Sequence, residues 1–210
     1  MNHRLVTFGC SFTYGQGLPD CRIGQNWSDT ASTPSEMSWP FELGKLLNVP
    51  VINKGVPGAS NTEILYHILN FDFKLGDTVV LMWSMPNRDL YFLPNRWRKK
   101  PFRQLGIWLQ GKNPFADQWL KNTTDYDNTV KSWLYMHHAE LYLKSKKINF
   151  IHYPVTAIEL EKFKPEYINL TNYFNIGFEC IDECINDKHP GIKSHKKTAN
   201  TIYRILNEQK

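Results

Sequence analysis

The sequence predicts a three-layer α/β/α sandwich, a parallel sheet covered by helices on both faces. Four runs of strand length, "LVTF" at 5–8, "VPVIN" at 49–53, "TVVLMW" at 78–83 and "INFIHY" at 148–153, are apolar at nearly every position. Strands that are buried on both faces show this pattern, whereas half-buried strands alternate. Segments of helical periodicity lie between these runs, and strands that alternate with helices make parallel neighbours joined by crossovers.

The elements follow in order. The first strand hands over at once to "GCSFTYG" (9–15), a glycine-flanked turn with a serine at its centre. A short helix is expected after Ser38, with Pro40 in its first turn, where a missing N–H costs nothing. The second strand leads through the glycine turn "NKGVPGASN" into a helix from Ser60, with Ser60 and Glu63 at capping-box spacing and Ile64, Leu65, Ile68 and Leu69 as its apolar stripe. A second long helix is expected over 128–147, with Val130, Trp133, Leu134, His137 and Leu141 facing inward, and a last one over 194–207, with Ala199, Ile202, Ile205 and Leu206. The rhythm breaks only at about 85–128, between the third strand and the next helix. That is far longer than the roughly two to six residues of an ordinary βα loop and marks a functional insertion. With no repeat and no linker, residues 1–210 are expected to form a single domain carrying that insertion.

Composition narrows the function. At 41% hydrophobic and 21% charged residues the chain can bury a sizeable core, so disorder is excluded. The net charge of +5 is spread along the chain, which favours solubility over a nucleic-acid partner. No apolar stretch approaches the ~18 residues of a membrane helix, and the N-terminus lacks the layout of a secretory signal, so a cytoplasmic protein is expected, with association with a virion as the alternative. Four cysteines make neither a disulfide framework nor, with "CIDEC" standing alone, a zinc site. No metal and no cofactor is expected.

The chemistry gathers at the strand ends, where open α/β folds bind their ligands. Ser11 follows the first strand at the start of a helix, as a nucleophile would. Gly58 follows the second and offers an unobstructed N–H. After the third, "WSMPNR" presents Asn87, or alternatively Ser84, as a polar donor. Near the far end, "NDKHPG" sets Asp187 two residues before His189, ahead of the last helix.

These four pieces, in this order, resemble the blocks of the SGNH (GDSL-type) hydrolases, and "SWP" and "GASN" resemble a subgroup common in phage and bacterial genomes. The resemblance implies a flavodoxin-like sheet and a small-ester hydrolase working through an acyl-enzyme. Ser11 would be the nucleophile, His189 the general base and Asp187 the residue holding its tautomer; the N–H groups of Ser11 and Gly58, with the Asn87 amide, would form the oxyanion hole. The chain departs from the family pattern in three places. Cys10 stands where Gly-Asp-Ser has its aspartate, Asn186 stands at the aspartate of Asp-x-x-His with Asp187 one residue nearer the histidine, and "WSMPNR" replaces Gly-x-Asn. Asp182 or a backbone carbonyl is the alternative partner for His189.

Other residues offer competing roles. Cys10 is a rival nucleophile only if its pKa is depressed. His195, six residues after His189, is a candidate partner for it, whereas His67 and His152 read as structural. The insertion contains "NRWRKKPFR", in which Trp97 and Arg98, with Trp108 further on, are candidate substrate contacts; the competing readings are a solvated loop and a single-strand nucleic-acid surface. The expected substrate is a small or carbohydrate ester, an O-acetylated sugar before a lipid ester. A catalytically silent binding or structural module and an acyltransferase using the same residues are the alternatives. The sequence says nothing of oligomeric state.

Overall fold

The computed structural model describes residues 3–24, 29–93, 101–185 and 187–208. Its centre is a four-stranded sheet in the order β2 (Val51–Gly55), β1 (Leu5–Gly9), β3 (Thr78–Trp83), β6 (Asn149–Pro154), every pair parallel. All four expected strands are present, in the order expected of a flavodoxin-like sheet. Beyond β6 the sheet is extended by one parallel bridge, Tyr173 beside His152, fixed by hydrogen bonds from His152 N–H to Asn172 O (2.9 Å) and from Phe174 N–H to His152 O (3.0 Å).

Helices cover both faces. On one, α2 (Trp39–Leu47) packs against α7 (Ile192–Glu208); on the other, α3 (Asn61–Leu69) packs against α5 (Asp125–Ser145). Strands β1 and β3 are apolar and buried, and their side chains join Trp39, Ile64, Ile68, Trp133 and Ile202 in one core. The strand order reverses around β1, with β2 on one side and β3 on the other, which opens a crevice at their carboxyl ends.

Three expectations need correction. The second strand starts at Val51, not 49, and it is half-buried instead of covered on both faces. Asn48 turns left-handed at the end of α2 and Val49 N–H bonds back to Gly44 O, so the strand begins only after Pro50 and, as an edge strand, tolerates Lys54. Helix α5 begins at Asp125, three residues before 128, because Thr124 caps it by accepting from Asp127 N–H (3.1 Å). Its buried face runs through Ser132, Trp133, Met136, Ala139, Glu140 and Leu143, whereas Leu134 and Leu141, expected inside, are exposed.

The insertion has a fold of its own. An antiparallel hairpin pairs β4 (Arg88–Phe92) with β5 (Phe102–Gly106), a single 3-10 turn spans Ile107–Leu109, and α4 (Pro114–Asn122) follows, capped by Asn113. Arg88 is paired with Gly106, so the hairpin's base stands just after β3. Trp97 and Arg98 lie outside the described residues.

Candidate active site

Strand β1 ends at Gly9, where a Cβ would come within 2.0 Å of Thr13 Oγ1, so only glycine lets the chain fold directly into the one-turn helix α1 (Ser11–Tyr14). Ser11 is its first residue, 3% exposed. Among the described residues neither its N–H nor its hydroxyl has a hydrogen-bond partner. Cys10, the residue before the helix, is fully buried in the core and does not line the cleft.

The second piece is tied to the first by Val56 N–H, which donates to Gly9 O (2.9 Å). Gly58 follows with φ +76°, a left-handed conformation that favours glycine, and its N–H has no internal acceptor among the described residues. The capping box is half made: Ser60 Oγ accepts from Glu63 N–H (3.2 Å), but the Glu63 carboxylate turns away to accept from Gln104 Nε2 (2.7 Å). Gln104 also donates to Pro57 O (3.1 Å), which fastens β5 of the insertion to the glycine turn.

The third piece is held by Asn61, the last residue of "GASN". Its side chain accepts from Ser84 N–H (2.7 Å) and donates to Ser84 O (3.1 Å) and Ser132 Oγ (2.9 Å), so it locks the end of β3 onto α3 and α5. Ser84 is buried, and its Oγ accepts from Arg88 (3.2 Å). Asn87 is exposed on the bend between β3 and β4 and is not among the residues of the cleft.

The fourth piece sits on a strand. Asp187 and His189 belong to β8 (Asp187–Pro190), paired antiparallel with β7 (Glu183–Cys184). Residues two apart on a strand share a face, so the short Asp-x-His spacing brings carboxylate and ring together: His189 Nδ1 lies 2.5 Å from Asp187 Oδ1. The same oxygen accepts from His189 N–H (3.0 Å). A carboxylate only accepts, so the shared proton belongs on Nδ1 and Nε2 keeps its lone pair. Phe12 packs edge-on against the imidazole, with ring centroids 5.8 Å apart.

The alternative partners are committed elsewhere. Asp182 caps α7, accepting from the N–H groups of Lys193 (3.0 Å) and Ser194 (2.7 Å) and from Ser194 Oγ (2.5 Å). Burial, the largest single influence, pushes its pKa up, but these donors together bring it below the ordinary value. His195 is fully buried with its pKa lowered to about 4, chiefly by desolvation. Its Nδ1 accepts from Trp39 N–H (3.1 Å) at the start of α2, so it supports the "SWP" helix.

The segments that follow β1 and β2, the insertion after β3 and the strand β8 meet at one cleft of about 380 Å³, lined by Ser11, Gln16, Thr30, Pro57, Gly58, Arg88, Gln104, Trp108 and His189. Ser11, Gly58, His189 and Trp108 were read from the sequence, and the structure brings them together, with Asp187 behind His189. Arg88 and Gln104 were missed, because their approach depends on the hairpin's pairing. The Ser11 hydroxyl makes no direct hydrogen bond to His189. Among the described residues no cluster of three or more His, Cys, Asp or Glu side chains is placed to hold a metal ion, and no helix is long and apolar enough to cross a membrane.

No protein-family model matches the chain, and no curated protein does. Solved structures do. A carbohydrate acetylesterase from Sinorhizobium meliloti superposes with a TM-score of 0.61 at 11% identity, over 99% of this chain and 100% of that one. An acetyl xylan esterase from Butyrivibrio proteoclasticus gives 0.60 at 11% identity over 99% of this chain and 64% of that one. A protein described as lipolytic, of the G-D-S-L family, from Desulfitobacterium hafniense gives 0.50 at 17% identity over 97% and 99%. At such identities the likeness is one of fold, and the chain has the α/β/α sandwich fold of the SGNH (GDSL-type) hydrolases.

Proposed function

We propose that this protein is a serine-dependent hydrolase of small esters, with acylated carbohydrate as the favoured substrate class. One observation carries the reading: a single cleft holds a helix-start serine, a glycine N–H and a histidine whose other nitrogen is fixed by a carboxylate at 2.5 Å. An unaided hydroxyl is a poor nucleophile. In this reading His189 Nε2 removes the Ser11 proton as Oγ attacks the ester carbonyl, and Asp187 stabilises the imidazolium that forms. The N–H groups of Ser11 and Gly58 meet the charge that develops on the carbonyl oxygen, where one donor is typically worth about 10²–10³ in turnover. The imidazolium then protonates the departing alcohol, and a water activated by the same ring releases the acyl group. Asn87, exposed outside the cleft, is left without a part in this scheme.

The fold shared with carbohydrate acetylesterases and the Trp108 ring in the cleft wall support a sugar ester as substrate. The missing contact between Ser11 and His189 favours a second reading, a silent binding module. Turnover of 4-nitrophenyl acetate with stoichiometric fluorophosphonate labelling of Ser11, both lost in Ser11→Ala, separates the two. Neither turnover nor labelling in the folded wild type would leave only the silent module.

A further inference from the structure

The cleft contains a cation that the hydrolytic scheme does not use. Arg88 lines it beside Ser11, Gly58 and His189. Its guanidinium lies over the Trp108 ring, 5.1 Å from the centroid, and donates to Ser84 Oγ (3.2 Å) and Met85 Sδ (3.1 Å), two weak neutral acceptors at the end of β3. It makes no ion pair with any described residue. The neighbouring Asp89 is engaged by Thr62 Oγ1 (2.9 Å) and Leu90 N–H (2.8 Å), and Glu63 is turned to Gln104. Besides Arg88 and His189, the residues that line the cleft carry no ionisable carboxylate or ammonium.

A half-buried guanidinium without a counter-ion is costly to the free protein, and its planar fork fits a carboxylate, sulfate or phosphate with two parallel hydrogen bonds. Trp108 covers one side of the guanidinium, and the hairpin base, fastened through Gln104 to the glycine turn, holds it near Gly58. We propose that the cleft selects esters bearing a negative charge near the scissile bond, on the acyl group or on the alcohol, and that Arg88 is the specificity-determining residue. This rests on the esterase reading for its catalytic consequence, but the anion site itself does not.

Two matched pairs test it. For charge on the alcohol, 4-acetoxybenzoate is compared with its methyl ester; for charge on the acyl group, mono-4-nitrophenyl glutarate is compared with 4-nitrophenyl methyl glutarate. The wild type is expected to favour the anionic member of at least one pair by about 10- to 100-fold in kcat/KM, the range a charge-assisted hydrogen-bond pair supplies. Arg88→Met should bring that ratio to about one, with Arg88→Lys in between, since an ammonium is a point charge without the fork. A wild-type ratio near one in both pairs overturns the proposal. So does a loss in Arg88→Met that strikes both members equally, which would make the arginine a support for the transition state.

Calorimetric titration of 4-acetoxybenzoate and its methyl ester into Ser11→Ala, with and without Arg88→Met, reads the site without turnover. About tenfold tighter binding of the carboxylate, abolished by Arg88→Met, supports the site even if the hydrolase reading fails. Equal binding of the two overturns it even if hydrolysis is confirmed.

Discussion

Two of this molecule's histidine–carboxylate pairs, one in the core and one at the cleft, differ in a way that shows what a site needs beyond its residue types. His152 and Glu140 face each other inside the core, with Nε2 3.4 Å from Oε2. The other ring nitrogen accepts from Trp83 Nε1 (2.9 Å), and the ring is stacked on Trp83 and edge-on to Phe150. Burial pushes the His152 pKa down. Glu140 also accepts from Lys144 (2.7 Å) and Thr171 N–H (2.8 Å); burial, the largest influence, raises its pKa, but His152, Lys144 and Thr171 together hold it at about 2. Both members are sealed from any cleft, the His152 side chain fully buried and that of Glu140 3% exposed. His189 and Asp187 use the same chemistry at a cleft wall, with the imidazole side chain 20% exposed and one nitrogen left over. An open valence facing a cleft, and not the pairing itself, marks the candidate catalytic histidine.

The comparison can be broken most sharply by exchanging the symptoms of the two pairs. Asp187→Asn should lower ester turnover by about 10³–10⁴-fold, since the wrong tautomer is then favoured, with circular dichroism unchanged. Glu140→Gln should leave turnover per folded molecule close to wild type but lower the unfolding free energy by about 3 kcal/mol, read from urea denaturation, because a buried partner is removed. A stability loss without an activity loss at Asp187 would merge the two pairs into one structural class.

A graded, pH-dependent effect tests the other buried histidine, His195. The folded-state pKa of His195, at about 4, lies below the ordinary 6.5 chiefly because burial disfavours the charged ring. The unfolded chain therefore binds the proton first as pH falls. The stability is fully present above about 6.5 and is lost progressively toward 4, by about 3 kcal/mol in all. Urea midpoints measured across that range should fall with acidity, and His195→Gln should flatten the slope.

Much of this was readable from the chain because the signals are local. Continuous apolar runs gave the strands, and a serine and a glycine at strand ends gave two walls of the cleft. What escaped was non-local. The inward face of α5 was misread because Ser132 and Glu140, polar residues satisfied by partners on other elements, interrupt its apolar period. The start of α7 at Ile192 depends on Asp182, which no residue near the helix betrays. Glu63 looked like half of a capping box and proved to hold Gln104, and Arg88 reaches the cleft only because the hairpin folds back on itself. The Asp-x-His spacing, an apparent defect, became workable once the segment formed a strand.

The central claim, that Ser11 and His189 serve one reaction, is tested most directly by a crystal structure of the protein after reaction with a fluorophosphonate. The expected structure has phosphorus on Ser11 Oγ, the phosphonyl oxygen between the N–H groups of Ser11 and Gly58, and His189 Nε2 within hydrogen-bond reach of the modified Oγ. A label on another residue, or His189 turned out of the cleft with Ser11 modified, would contradict it.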